Sequence, residues 1–180
     1  GVFDRVVNDL DVPTTSFKAI DIIAVTNPVK SPDTLKSFKR LVQISEVRKK
    51  WSQDPLTEKG FVDLMKFNVQ NDSIEPTDEL KNGESEILKE IASNVKEWAG
   101  NWDSIWDNIL LRSRIKEELV RVAQETKIPS LLEAGFVVKS NVAFHQISES
   151  VLQEVGNLES KRILAEWQDW FKKEIKRQRI

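Results

Sequence analysis

The chain has 180 residues, enough to bury a solid core in one or two domains. It contains no cysteine, which excludes disulfide bonds, thiolate nucleophiles and zinc-finger sites. The net charge of -2 argues against a general nucleic-acid binder, and no apolar run reaches the roughly 18 residues of a transmembrane segment. We therefore expect a cytoplasmic protein with no nucleic-acid partner and no transmembrane segment.

The front of the chain predicts a small antiparallel sheet. Residues 1–10 carry apolar side chains at helical spacing, and Pro13 follows as a helix breaker. Residues 20–26 are nearly continuous in apolar side chains, which predicts a strand with both faces buried. After a predicted loop at residues 28–37, alternation predicts two further strands at residues 38–51 and 61–69.

The second of these strands has mixed faces. Leu41, Gln43, Ser45 and Val47 alternate with Arg40, Val42, Ile44 and Glu46, so each face combines apolar and polar side chains. We therefore expect one edge of the sheet to be wet.

From Gly83 onward the apolar period changes to steps of three and four, which is typical of core-facing helices. Gly100 predicts a break in the first of them, with Asp103 starting a second piece that runs to about residue 124. A short helix at residues 128–134 is predicted to end at Gly135, and Ser140 or Asn141 is predicted to cap the next. Gly156 is predicted to end that helix, and residues 163–175 form the last one.

The predicted fold class is therefore α+β, with a small antiparallel sheet followed by a mainly helical C-terminal bundle. We place the domain boundary after residue 72, which gives domains 1–72 and 73–180.

Few residues in the sequence suggest catalysis. It has neither a G-x-x-x-x-G-K-[ST] loop nor a G-x-G-x-x-G motif, and its only histidine, His145, lacks the partners of a triad. The last helix combines aromatic and basic side chains, which is typical either of an interfacial membrane helix or of a bundle helix with a solvated basic tail. Its candidate interaction residues are Lys172, Lys173, Lys176 and Arg177.

Several stretches in order resemble one protein family. They are FDRVVNDL at residues 3–10, VP at 12–13, FKA at 17–19, DII at 21–23 and KRLVQISEV at 39–47. Together they resemble the archaeal members of the type II/type IV secretion ATPase superfamily, which includes pilus-assembly, archaellum and conjugative-transfer (VirB-type) motors. The resemblance covers residues 1–72 and extends to residues 97–100 and 102–108.

The resemblance implies that residues 1–72 are the C-terminal end of a RecA-like ATPase core and residues 73–180 a helical appendage. In this family the stretch at residues 1–10 follows the histidine box, so the boxes that bind ATP and Mg would lie upstream. Arg5 matches the arginine that supports the core near the nucleotide. The loop at residues 31–36 departs from the family, where it is rich in glycine and arginine.

The hypothesis is a C-terminal fragment of a hexameric secretion or pilus-assembly motor, with ATP and Mg in the full-length protein and no cofactor in this chain alone. Its partners would be other subunits of the ATPase and a membrane platform protein, contacted at the inner face of the cell membrane. We do not expect this chain to hydrolyse ATP by itself. The alternative is a stand-alone, non-enzymatic protein-interaction module.

Overall fold

The structure, a computed structural model, describes residues 1–30 and 37–178. It confirms the α+β fold class, because a four-stranded antiparallel sheet is followed by a succession of helices. The chain divides into two compact units, Gly1–Asn94 and Val95–Ile180. The first unit contains the sheet, and the second is helical.

The sheet is a meander in which each strand pairs with the next strand in sequence. Three strands match the predicted ones, and the fourth was not predicted. The fourth strand pairs with the third and lies just after residue 72, where the domain boundary was predicted. The division into domains 1–72 and 73–180 stays a prediction. The strands are β1 (Ile22–Lys30), β2 (Ser37–Val47), β3 (Phe61–Asn68) and β4 (Ser73–Pro76).

The prediction that the first strand is buried on both faces is wrong. β1 lies at the edge of the sheet, and its residues alternate between half-buried and exposed over most of its first half, with Ile22 43% exposed. The strand also continues through Pro28 to Lys30. An edge strand tolerates proline because, within the described residues, no strand pairs with its outer row of backbone donors. The part of the predicted loop at residues 31–36 lies outside the described residues.

The N-terminal segment packs on the sheet through an aromatic cluster. A π-helical turn (Asp4–Asp9) lies within the helix predicted at residues 1–10, and α1 (Thr14–Phe17) follows Pro13. The rings of Phe3 and Phe17 meet edge-on with centroids 5.1 Å apart, and those of Phe3 and Trp51 meet edge-on at 5.8 Å. Edge-to-face packing adds to the stabilisation that burial gives these rings.

The loop that carries Trp51 is held by its own contacts. A Cβ atom at Gly60 would lie 2.5 Å from the Pro55 side chain and 2.6 Å from that of Trp51, so only glycine fits there. The Glu58 carboxylate accepts hydrogen bonds from the backbone N–H groups of Ser52, Gln53 and Asp54, and the hydrogen bonds lower its pKa to about 2.

Two short helices, α2 (Asp78–Lys81) and α3 (Glu86–Ser93), complete the first unit. The fully buried Glu46 of β2 accepts hydrogen bonds from the Ser85 hydroxyl at 2.5 Å and from the Glu86 N–H at 2.9 Å. Because a carboxylate is favourable near a helix N-terminus, this contact fastens the start of α3 to the sheet.

The second unit contains α4 (Trp102–Thr126), α5 (Ala134–Val155) and α6 (Ser160–Gln178). A 3-10 turn (Pro129–Leu132) stands where the short helix was predicted. The core includes Leu111, Ile115, Leu119, Leu131, Phe144, Val151, Ile163, Trp167 and Phe171. Within the described residues, no helix is both long and apolar enough to span a membrane.

The predicted break at Gly100 is confirmed, since this residue has a φ of +76° and Asn101 caps α4. Gly156 ends α5 in the left-handed conformation, as predicted. The predicted boundaries at Gly135 and Ser140 are wrong, because both residues lie inside α5. Ser140 is a buried residue of α5, with 2% of its surface exposed. The helix instead begins after Glu133, whose backbone is extended.

Candidate functional site

Arg5 lies on the π-helical turn of the first unit and is exposed. Its side chain is 72% accessible, and its Nη1 atom lies 2.9 Å from the Asp9 carboxylate. Phe3, Val6 and Val7 of the same segment pack against the core. The segment is thus anchored by its apolar side chains while Arg5 stays available on the surface. Its role near a nucleotide stays a prediction.

A cavity of about 490 Å³ lies between this segment and the sheet. Its walls are mostly apolar and include Phe3, Ile23, Val25 and Phe61. Besides Asp4 of the N-terminal segment, three polar side chains of the second and third strands line it: Gln43, Ser45 and Asp63.

These three side chains and Lys66 form a hydrogen-bonded group, which we call the sheet cluster. Asp63 Oδ1 accepts from Gln43 Nε2 at 2.6 Å and from Ser45 Oγ at 2.7 Å. Lys66 Nζ lies 3.0 Å from Asp63 Oδ2. Burial raises the pKa of Asp63, but the hydrogen bonds from Ser45, Lys66 and Gln43 outweigh it and leave the pKa below its ordinary value.

A β-bulge brings the sheet cluster together. Ile44 pairs with Met65 while Ser45 pairs with Asp63, so Leu64 is an extra residue on β3. Residues three apart on a regular strand point to opposite faces, and one extra residue places Asp63 and Lys66 on the same face. Two of the four residues of the sheet cluster could be noticed in the sequence, because Gln43 and Ser45 are polar residues between apolar ones on one face of β2.

Chemically, the sheet cluster is a closed network of donors and acceptors. The Ser45 hydroxyl donates to Asp63 and accepts from Gln43 Nε2 at 2.9 Å, so its proton and one lone pair are already engaged. Among the described residues, no group of three or more potential ligands could hold a metal ion. His145, in the second unit, is exposed on α5 with its ring 5.2 Å from that of Phe144.

The predicted interaction residues lie at the C-terminal end of α6, and we call them the basic end of α6. The apolar face of this helix is used by the bundle, since Trp167 and Phe171 are buried in its core. Two of the four cations have carboxylate partners: Lys172 lies 3.1 Å from Asp169, and Arg177 lies 2.6 Å from Glu174. Lys173 and Lys176 form no ion pair within residues 1–30 and 37–178.

No protein-family model matches the chain, and neither the curated proteins nor the solved structures give a significant match. The family resemblance of residues 1–72 therefore remains a prediction.

Asp63→Asn should destabilise the first unit and reduce its sensitivity to acid. Losing charge-assisted hydrogen bonds should lower the free energy of unfolding at pH 7 by about 1–3 kcal/mol. Because the pKa of Asp63 is below its ordinary 3.8 in the folded state, its stabilising contribution is present above that value. The contribution is lost as pH falls through the folded pKa, so the variant should show a shallower acid dependence in urea titrations.

The matched control is Asp21→Asn, which breaks an exposed pair with Lys49 and should change stability little. Equal acid dependence in the wild type and the Asp63→Asn variant would show that the charge of Asp63 contributes nothing to the stability of the first unit.

Proposed function

We propose that this chain is the C-terminal part of a hexameric type II/type IV secretion or pilus-assembly ATPase, which powers protein export or filament assembly. The observation that supports it is the packing of the stretches that resemble this family. Phe17 and Val47, from two of these stretches, are buried in one cluster, and Phe3 from a third packs against it. Segments separated in sequence thus form one core, as consecutive parts of an ATPase domain would.

In this proposal, the catalytic boxes that bind ATP and Mg belong to the upstream part of the motor. The sheet unit completes the RecA-like core, and Arg5 faces the nucleotide region from its exposed position. The helical unit packs against other subunits and transmits their ATP-driven movements. The basic end of α6 contacts a membrane platform protein, which would hold the motor at the inner face of the cell membrane.

The isolated chain should not bind Mg·ATP with micromolar affinity. Nucleotide affinity in such motors comes from the backbone N–H groups and the lysine of a phosphate loop. This sequence contains no such loop. Isothermal titration calorimetry of the purified 180-residue chain with Mg·ATP measures this affinity directly. A micromolar dissociation constant would contradict the proposal.

Replacing the four cations of the basic end of α6 with glutamine in the full-length motor should weaken binding to the platform protein without changing the rate of ATP hydrolysis. We expect Lys173→Gln combined with Lys176→Gln to cause most of the loss, about tenfold, since these two cations lack an intramolecular carboxylate partner within the described residues. Lys172→Gln combined with Arg177→Gln should weaken binding less.

Lys161→Gln is the matched control, because Lys161 is an exposed lysine nearer the start of the same helix. Binding of the purified platform protein is measured for each variant beside its hydrolysis rate. If the Lys173/Lys176 variant binds as well as the Lys161 variant, the basic end is not the contact surface.

A further inference from the structure

The second unit has an open groove between α4 and α5. α5 packs mainly against α6, and α4 packs against the 3-10 turn (Pro129–Leu132) and α6; the two helices contact each other less. The space left between them has a volume of about 300 Å³. Ile115 and Leu119 of α4 and Phe144 of α5, all buried, line it.

One side of this groove carries exposed apolar side chains of α5. Val137 and Val138 line the groove and are 41% and 62% exposed. Val142, one helical turn beyond Val138, is 49% exposed. A single exposed valine is ordinary, but Val138 and Val142 are four residues apart and share one face of α5, so their exposed side chains extend the apolar wall of the groove.

The other side carries two cations without a carboxylate. The half-buried Arg112 lies with its guanidinium 4.7 Å from the centroid of the Phe144 ring, and its Nε donates to Asn108 at 3.0 Å. Burial lowers its pKa, which reflects a cost in keeping the charge. Lys116 is exposed beside it. Within the described residues neither cation forms an ion pair, and no carboxylate lines the groove.

We propose that the groove between α4 and α5 binds an amphipathic α-helix of a partner protein whose apolar stripe is flanked by acidic residues. The apolar stripe covers the exposed valines, and the carboxylates meet Arg112 and Lys116. A helix placed between α4 and α5 makes a four-helix arrangement with α6, which is a common way to bury such a groove. The inference goes beyond the ATPase proposal and does not depend on it.

The charge pattern decides between this occupant and others. A carboxylate beside Arg112 offsets the cost of its burial, which a neutral or basic helix cannot do. An anionic membrane would also supply negative charge. However, a flat bilayer surface does not enter a groove between two helices, whereas a helix with protruding side chains does.

The probe is a fluorescent synthetic helix of about 18 residues, long enough to be helical, with leucines at i, i+3, i+4 and i+7 spacing and glutamates beside them. A second peptide has every glutamate replaced by lysine. Fluorescence anisotropy with the full chain should show the glutamate peptide binding at least about tenfold more tightly than the lysine peptide.

Lys116→Glu should weaken the glutamate peptide about tenfold and strengthen the lysine peptide, because the charge of the groove is reversed. Lys116 is exposed, so this variant should keep the fold, and circular dichroism checks that it does. Lys161→Glu is the control with the same charge change on α6, outside the residues that line the groove. It should leave both affinities unchanged.

Three results would overturn the proposal. They are absence of binding by the glutamate peptide, equal binding by the two peptides, and equal effects of the Lys116 and Lys161 substitutions. Binding to anionic vesicles that Lys116→Glu abolishes, without peptide binding, would assign the surface to a membrane instead.

Discussion

The first unit depends on the burial of Trp51 against Phe17 and Phe3. Trp51 is 2% exposed, and its indole Nε1 is buried without a hydrogen-bond partner in the described structure, so its burial carries a polar cost. Lys18 partly compensates, because its ammonium group lies 4.6 Å from the ring centroid and donates to the Trp51 carbonyl. This contact fixes the N-terminal segment, which carries Arg5, on the sheet, where the segment and the sheet cluster line the same cavity.

The sequence predicted the elements whose pattern is local. Alternation located β2 and β3, and Gly100 and Gly156 marked breaks that the left-handed conformation explains. It failed where the outcome depends on distant neighbours. The apolar content of β1 gave no sign that the strand would lie at an edge, and the bulge at Leu64 that assembles the sheet cluster depends on pairing with β2.

Both candidate interaction surfaces of the second unit contain cations that form no ion pair with a carboxylate among the described residues. The sequence identified the basic end of α6 by composition, and the structure separates its paired residues from Lys173 and Lys176. The groove was missed because Arg112 and Val138 belong to different helices. In each helix alone they are ordinary surface residues, and only the packing of both helices on α6 brings them to one surface.

The measurement that tests the central claim most directly is the coding sequence immediately upstream of Gly1 in the source DNA. The ATPase proposal predicts an open reading frame that encodes a histidine-containing T-x-H-G-like box and, further upstream, a G-x-x-x-x-G-K-[ST] loop. A stop codon followed by a new start codon immediately before the codon of Gly1 would contradict it. The chain would then be a stand-alone interaction module, and its function would lie in what its helices bind.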